Sequence, residues 1–238
     1  MIDALVRGIL LDIEGTTTPI AFVHDVLFSY ARAHARDFLT NNIGLDEVRA
    51  DVSMLFEEHA LDVVKDLQPP ELTEEIESLA DYIDWLIDHD RKSTGLKSLQ
   101  GKIWHQGYSD GSLKSQVFAD VEPAMERWRN AGLSISIFSS GSVLAQQLLF
   151  AHTDAGDLTR FIDKYFDTTT GKKGEADSYR RIAVEMGLEP GEIVFVSDVI
   201  GELDAAEEAG MKTVLSIRLG NAVQEPTHHQ PIESFDQL

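Results

Sequence analysis

Four short runs of apolar residues have the pattern of strands that are buried on both faces. The runs are Ile9 to Leu11, Ser134 to Phe138, Ile193 to Val196 and Thr213 to Ile217. Segments with apolar residues at helical spacing separate the later runs. They are Pro123 to Ala131, Val143 to Ala151 and Ala176 to Met186. Alternating strands and helices predict right-handed crossovers and a parallel sheet that is covered on both faces. The pattern therefore predicts an α/β fold.

Three of the four predicted strands end in a cluster of small or acidic residues. The clusters are Asp12-Ile13-Glu14-Gly15, Ser139-Ser140-Gly141-Ser142 and Ser197-Asp198. In parallel α/β sheets, ligands bind outside the carboxyl ends of the strands. We therefore expect the three clusters to lie at one edge of the sheet and to form the functional site.

A segment of different character, roughly residues 21 to 116, separates the first strand from the second. It contains predicted helices over His24 to Leu39 and Glu47 to His59, and an apolar stripe at helical spacing from Ile76 to Ile87. Pro69-Pro70 separates two of these helices. The segment predicts a helical domain, residues 21–116, inserted into a core made of residues 1–20 and 117–238. Its acidic run from Asp46 to Asp90 is expected to be a solvated face.

Charge and composition exclude several functional classes. Among the 238 residues, 41 are acidic and 20 basic, a formal net charge of -21. This balance argues against nucleic acid or an anionic membrane as a partner, because binding phosphates requires a surplus of Lys and Arg. Cysteine is absent, which excludes disulfides, a thiolate nucleophile and a cysteine zinc site. The chain shows no signal-peptide pattern and no apolar run of the ~20 residues that span a membrane, so we expect a cytoplasmic protein.

The polar clusters contain residue types that suit phosphate chemistry. Asp12 and Glu14, two positions apart before a glycine, can face one pocket as a nucleophile or metal ligand and a general acid/base. An ordinary acidic turn explains the same pair. The Ser139 to Ser142 cluster precedes a predicted helix, whose free backbone amides favour an anion, although helix capping alone also accounts for these serines.

A lysine pair and a second acidic pair complete the set of candidate residues. Lys172 and Lys173 precede the predicted helix from Ala176, where one of them can offset the charge of a phosphoryl group; surface lysines are the simpler explanation. Asp198 and Glu202, at and after the end of the third strand, supply the oxygen ligands that Mg²⁺ prefers. Each motif has a structural explanation by itself, but their order on successive strand ends indicates a single site.

This order of motifs resembles the haloacid dehalogenase (HAD)-like superfamily of aspartyl-phosphate phosphatases. Most relatives carry Asp two positions after the nucleophile, whereas this chain has Glu14 in Asp-Ile-Glu-Gly-Thr-Thr. That departure is itself a signature. Together with Ile103-Trp104-His105-Gln106-Gly107-Tyr108, Phe138-Ser139-Ser140-Gly141-Ser142 and Ser197 to Leu203, it makes the chain similar to the enolase-phosphatases of methionine salvage (acireductone synthases). The resemblance implies a HAD-like Rossmannoid core, with the inserted helical domain as its cap.

The resemblance also implies an activity and roles for the candidate residues. The family enolises 2,3-diketo-5-methylthiopentyl-1-phosphate and then removes its phosphate, using Mg²⁺, and it is generally monomeric. The implied catalytic residues are Asp12, Glu14 and Lys173. The implied metal ligands are Asp12, Asp198 and Glu14, the last through its main-chain carbonyl, and Glu202 is expected to orient a metal-bound water. The implied substrate-binding residues are Ser139, Ser140, Gly141, Lys173 and Trp104.

Several interpretations stay open at this point. Trp104 and Tyr108 either contact the methylthio end of the substrate or are buried packing residues. His228-His229 has the composition of a metal pair, but without further spaced ligands we expect an exposed feature of the tail. The enolisation base is Glu14 or a group from residues 21–116. The main alternative functions are a HAD phosphatase for another small phosphorylated metabolite, a phosphoacceptor signalling domain and an inactive structural relative.

Overall fold

A computed structural model of the chain describes residues 4–222 and 227–238. The chain divides into two compact units, one formed by Met1–Val23 with Lys114–Leu238 and the other by His24–Leu113. The domain boundaries expected from the sequence, after residue 20 and before residue 117, stay a prediction. Within the described ranges, no helix combines the length and the apolar composition that crossing a membrane demands.

The first unit contains a six-stranded parallel sheet, which confirms the predicted α/β fold. Its strands are β1 Gly8–Leu11, β2 Ser134–Phe138, β3 Lys164–Phe166, β4 Ile193–Ser197, β5 Lys212–Ser216 and β6 Gln230–Ile232. The strand order is β3-β2-β1-β4-β5-β6, and each neighbouring pair is parallel. The four predicted strands are confirmed, with β5 displaced by one residue, whereas the short outer strands β3 and β6 were not predicted.

Three of the four α-helices of the first unit were predicted from the sequence, and the fourth, Ile200–Glu208, was not. The α-helices in chain order are α1 Ser29–Asn42, α2 Asp46–Val64, α3 Ile76–Asp88, α4 Thr94–Asp110, α5 Val121–Asn130, α6 Val143–Ala151, α7 Ala176–Met186 and α8 Ile200–Glu208. Of these, α5 to α8 belong to the first unit, where α6 and α7 have the predicted bounds. The predicted helix from His24 to Leu39 consists of a π-helical segment, Phe22–Phe28, followed by α1.

Packing against the central strands places the ends of β1 and β4 rigidly. All four residues of β1 and all five of β4 are buried. On one face of the sheet, Leu10 and Phe195 belong to a core cluster that includes Tyr179 of α7 and Leu203 of α8. Burial of side chains of this size stabilises each by roughly 1.5–3 kcal/mol. The residues that follow β1 and β4 therefore start from fixed positions.

The second unit consists of α1 to α4, with α2 packed on α4 and α1 on α3. Helix α4 was not predicted, although Ser93 caps its first turn by accepting from the Leu96 amide at 2.9 Å and Gly111 ends it at φ 80°. The expectation that the acidic run is a solvated face is wrong for Asp51 and Asp62. Both are buried and form ion pairs with cations from outside the run, Lys102 and Arg91, because a buried carboxylate requires a partner.

Candidate active site

The candidate site lies in the first unit, at the carboxyl edge of the sheet. Leu11, the last residue of β1, is level with Ile137 of β2 and Val196 of β4, so the residues that follow these strands leave the sheet together. The Asp12 amide continues the ladder for one more step, donating to the Val196 carbonyl at 3.0 Å. The sheet therefore delivers the first and third polar clusters to one edge, as their sequence positions predict.

Asp12 is buried, and both of its carboxylate oxygens accept hydrogen bonds. Oδ1 accepts from the Ile13 amide at 2.8 Å and from Lys173 Nζ at 2.6 Å. The Ser197 hydroxyl lies 3.2 Å from Oδ2. These contacts hold the carboxylate in one orientation at the end of β1.

Lys173 contacts two carboxylates at once. Its ammonium lies 2.6 Å from Asp12 Oδ1 and 2.6 Å from Glu202 Oε2, and its side chain is 10% exposed. Burial lowers the pKa of Lys173, but the charges of Asp12 and Glu202 outweigh burial and raise it, so the ammonium stays protonated. The Tyr179 hydroxyl of α7 donates to the Lys173 carbonyl at 2.7 Å and fixes the loop. By contrast, the side chain of Lys172 is 82% exposed and pairs with Glu175.

Asp198 and Glu202 both have raised pKa values. Burial, and then the charge of Asp12, raises the pKa of Asp198 to about 7, with Glu14 adding to the shift. The pKa of Glu202 also rises to about 7, from burial first and Asp12 second, despite the opposing effects of Lys173 and Ser197. The buried carboxylates therefore carry more negative charge than the one lysine neutralises, and a further cation would reduce the repulsion between them.

Ser197 is a site residue to which the sequence assigned no role. Its hydroxyl lies within hydrogen-bonding distance of both Asp12 Oδ2, at 3.2 Å, and Glu202 Oε2, at 3.0 Å, and accepts from the Val199 amide. The hydroxyl thus connects the first and third clusters. Its position as the last residue of β4, directly before Asp198, was the available signal, because it places Ser197 at the carboxyl edge of the sheet.

Gly15 shapes the loop that carries Glu14. It has φ 65°, a conformation that favours glycine. Its carbonyl accepts from Asn221 Nδ2 at 2.9 Å and from Ser216 Oγ at 3.2 Å, so the turn is anchored to the last residue of β5 and to the segment that follows. A Cβ at this position would lie 2.3 Å from Asp198 Oδ2. The missing side chain therefore makes room for the Asp198 carboxylate.

Replacing Gly15 by Ala is expected to displace Asp198 and to weaken cation binding. The positive φ costs about 1 kcal/mol for an L-residue, and the overlap with Asp198 must be relieved by moving the carboxylate. We expect the Mg²⁺ concentration needed for half-maximal activity to rise about tenfold, as measured by titrating activity with Mg²⁺. Gly174→Ala, where a Cβ meets nothing within 4 Å, is the control, and an unchanged Mg²⁺ requirement in Gly15→Ala would contradict the prediction.

The serine cluster begins directly after β2 and caps α6. Ser139 is buried and its hydroxyl accepts from the Gly141 amide at 3.3 Å, whereas Ser140 is exposed. Ser142 is the N-cap, accepting from the Ala145 amide at 3.2 Å. Gln146, which the sequence did not single out, donates to the carbonyls of Gly141 and Phe166 at 2.8 Å each. The loop is thus fixed from two sides, and its phosphate-binding role stays a prediction.

Trp104 lies in the second unit, where it is 8% exposed. Its indole N–H donates to the Leu27 carbonyl at 2.9 Å, and its ring stacks on Phe28 with centroids 6.4 Å apart. These contacts are those of a packed core residue. A contact of Trp104 with the substrate stays a prediction.

The expectation that His228-His229 is an exposed feature of the tail is wrong for His229. His228 is exposed, but His229 is 3% exposed and its imidazole contacts Thr213 and Asp204. The physical reason is that β6 adds to the edge of the sheet beside β5 and brings the preceding residue under α8.

The residues at the carboxyl edge fit a magnesium ion. Asp12 and Asp198 are buried carboxylates, and carboxylate oxygen is the ligand type that Mg²⁺ prefers. The raised pKa of Asp198 shows that the site favours additional positive charge. The space that Gly15 leaves beside Asp198 admits the carboxylate into this group. That Asp12, Asp198 and the backbone carbonyl of Glu14 are the ligands stays a prediction.

Comparison with known proteins identifies the family. The family model of haloacid dehalogenase-like hydrolases matches residues 6–210. The enolase-phosphatase E1 of Synechococcus elongatus is 54% identical, covering 98% of both chains, and that of Sorangium cellulosum is 48% identical over 98% of this chain and 97% of its own. Among solved structures, the UTR4 protein of Saccharomyces cerevisiae superimposes with a TM-score of 0.80 at 34% identity, covering 98% of this chain and 100% of that one. The chain therefore belongs to the haloacid dehalogenase-like hydrolases and, within them, to the enolase-phosphatase E1 family.

Proposed function

We propose that this enzyme enolises 2,3-diketo-5-methylthiopentyl-1-phosphate and then hydrolyses its phosphate ester, releasing the acireductone of methionine salvage. The observation that carries the proposal is the pairing of the buried Asp12 carboxylate with Lys173 Nζ at 2.6 Å, at the carboxyl edge of a sheet of this family. A small phosphorylated metabolite is the substrate class that such a site binds. We also infer a monomer that acts in the cytoplasm, which the absence of cysteine and the excess of acidic residues support.

The dephosphorylation step uses Asp12 as a nucleophile. An Asp12 carboxylate oxygen attacks phosphorus, the bond from phosphorus to the substrate oxygen breaks, and an aspartyl phosphate forms. The departing substrate oxygen keeps the bonding electrons and takes up a proton from water. Water then attacks the phosphorus of this intermediate, which frees Asp12 and releases inorganic phosphate. Lys173 offsets the negative charge that the nucleophile and the phosphoryl group bring together. Ser139, Ser140 and the Gly141 amide are assigned to the phosphate oxygens.

A Mg²⁺ ion would be bound by Asp12, Asp198 and the Glu14 carbonyl, and when bound it screens the repulsion between carboxylate and phosphate and polarises oxygen. HAD-like phosphatases generally use this ion. Glu202 is not assigned as a ligand, and its Oε2 lies 2.6 Å from Lys173 Nζ and 3.0 Å from Ser197 Oγ. Its role in the proposal is to position Lys173 and a water molecule.

The enolisation step requires a base at the carbon that bears the phosphate ester. We assign it to Glu14, whose carboxylate is half-buried in the loop after β1. Glu14 takes a proton from that carbon and delivers it to the neighbouring carbonyl oxygen, so the step is an isomerisation with no net change in atoms. Most HAD relatives have Asp at this position. The longer side chain of Glu14 suits proton transfer at the carbon of the substrate, in addition to the reaction at phosphorus.

The test is an assay with the diketone phosphate and Mg²⁺. We expect an ultraviolet signal from the enol, followed in the same reaction by the release of inorganic phosphate. Simple phosphate esters and phosphoglycolate serve as comparison substrates and are expected to react far more slowly. Release of phosphate from those esters, with no enol signal from the diketone, would overturn the proposal and favour a HAD phosphatase for another metabolite.

A further inference from the structure

We propose that Asp204, His228 and His229 form a binding site for a transition-metal dication of the Zn²⁺ class, separate from the Mg²⁺ site and independent of the proposed function. Each of the three side chains offers one ligand atom, and the three atoms lie within 4.8 Å of one another. They come from α8 and from the segment before β6, which the sheet brings together. This grouping turns an adjacent histidine pair into a three-ligand set.

The orientation of His229 suits a metal ligand. Its side chain is fully buried, Nδ1 lies 2.8 Å from Thr213 Oγ1 of β5, and Nε2 lies 3.0 Å from Asp204 Oδ1. Metal-binding histidines generally have the other ring nitrogen fixed by an oxygen, which selects the tautomer. Thr213 supplies that oxygen here, so Nε2 is directed towards the Asp204 carboxylate, where a bound cation would join the two groups.

His228 and a second carboxylate lie beside this pair. The two imidazole rings have centroids 4.1 Å apart. His228 Nε2 lies 2.6 Å from Glu207 Oε2. Because Asp204 and Glu207 are three residues apart on α8, they present their carboxylates on the same face of the helix. Two imidazoles therefore meet a face of α8 that carries two acidic groups.

The ligand types distinguish this site from the one at Asp12. Two imidazole nitrogens with carboxylate oxygen suit Zn²⁺, Co²⁺ and Ni²⁺, whereas Mg²⁺ prefers oxygen alone. The exposure of Asp204 and His228 gives an ion and its remaining water ligands access from solvent. Zn²⁺ is therefore expected to bind here even when Mg²⁺ is in large excess.

A bound ion would connect α8 to the segment that leads into β6 at the edge of the sheet. Asp204 is on α8, Thr213 on β5, and His229 directly precedes β6. A ligand that binds only the folded state shifts the unfolding equilibrium towards that state. The unfolding temperature is therefore expected to rise with Zn²⁺ concentration, and this readout does not depend on catalysis.

The experiment titrates the whole, chelator-treated protein with Zn²⁺ in excess Mg²⁺ by calorimetry, with Co²⁺ absorption as a measure of nitrogen ligation. We expect one Zn²⁺ per chain and the same binding in Asp12→Asn. Asp204→Asn and His228→Ala change exposed side chains, and each is expected to weaken binding about tenfold or more. Glu208→Gln, on the same helix with a side chain that is 75% exposed, is the control and is expected to bind as wild type does.

Three results would overturn the site. One is the absence of Zn²⁺ binding in excess Mg²⁺. Another is equal affinity in wild type, Asp204→Asn and His228→Ala. The third is binding that disappears in Asp12→Asn, since the ion would then occupy the carboxylate cluster instead. None of these results bears on the phosphatase proposal, which the diketone assay tests separately.

Discussion

Asp12→Asn is expected to lower the rate of phosphate release by about 10⁴-fold or more, the scale on which enzymes lose activity with their nucleophile. An amide oxygen does not form the aspartyl phosphate, so the two-step route is closed. The substitution preserves shape, and the Asn oxygen still accepts from the Ile13 amide, a bond of 2.8 Å in the wild type. Lys173 also keeps Glu202 as a partner. The loss is therefore expected without a loss of the fold.

Two measurements separate the chemical effect from a structural one. Labelled phosphate that stays on the protein after an acid quench is expected in wild type and not in Asp12→Asn. The unfolding temperature is expected to change by only a few degrees. Asp177→Asn, at a side chain that is 76% exposed on α7 and pairs with Arg180, is the control. Phosphate release within tenfold of wild type in Asp12→Asn would refute the nucleophile assignment.

The central strands were predictable because their burial on both faces leaves a plain mark in the sequence. β1 and β4 are runs of apolar residues with little polar interruption, and most of the buried positions of β2 and β5 are also apolar. Such runs occur where helices cover both faces. The outer strands carry no such mark. β3 is Lys-Tyr-Phe and β6 is Gln-Pro-Ile, and strands this short and this polar do not form an apolar run.

The members of the candidate site were predictable, but their contacts were not. Strand ends identified Asp12 and Asp198, because parallel strands share a carboxyl edge. Lys173 is 161 positions from Asp12, and no local pattern shows that Lys173 rather than Lys172 is directed inward. The resemblance to the family made that choice. The structure agrees with that choice, because Lys173 Nζ lies 2.6 Å from Asp12 Oδ1 whereas Lys172 pairs with Glu175.

Side chains that meet across elements are where sequence reasoning failed. His229 lies 25 positions from Asp204, so a search for spaced ligands near the histidine pair does not find it. Asp51 and Asp62 look like members of a solvated face until Lys102 and Arg91 are placed beside them. In each case the partner is fixed by tertiary packing, which propensity and periodicity do not report.

Lys173→Met is expected to lower kcat/KM by about 10²–10³-fold, the effect of removing one preorganised charge from a reaction centre. Methionine retains most of the apolar length of the side chain, so the change removes mainly the ammonium. Steady-state kinetics with the diketone phosphate measure the loss. Lys172→Met is a closely matched control, since it makes the same change one residue away at a side chain that is 82% exposed, and it is expected to leave kcat/KM within about twofold of wild type.

The same variant distinguishes a catalytic ammonium from one that only stabilises the fold. Removing the cation leaves the Asp12 and Glu202 carboxylates buried beside each other, and losing one partner of a buried ion pair costs about 3–5 kcal/mol. If Lys173 were purely structural, Lys173→Met would lower the free energy of unfolding, but the molecules that stay folded would turn over at the wild-type rate. If Lys173 is catalytic, Lys173→Met lowers the rate per folded molecule even at a temperature where the variant is fully folded. Activity per folded molecule that equals the wild-type value would refute the assignment, because the two carboxylates and the phosphoryl group would then need no ammonium between them.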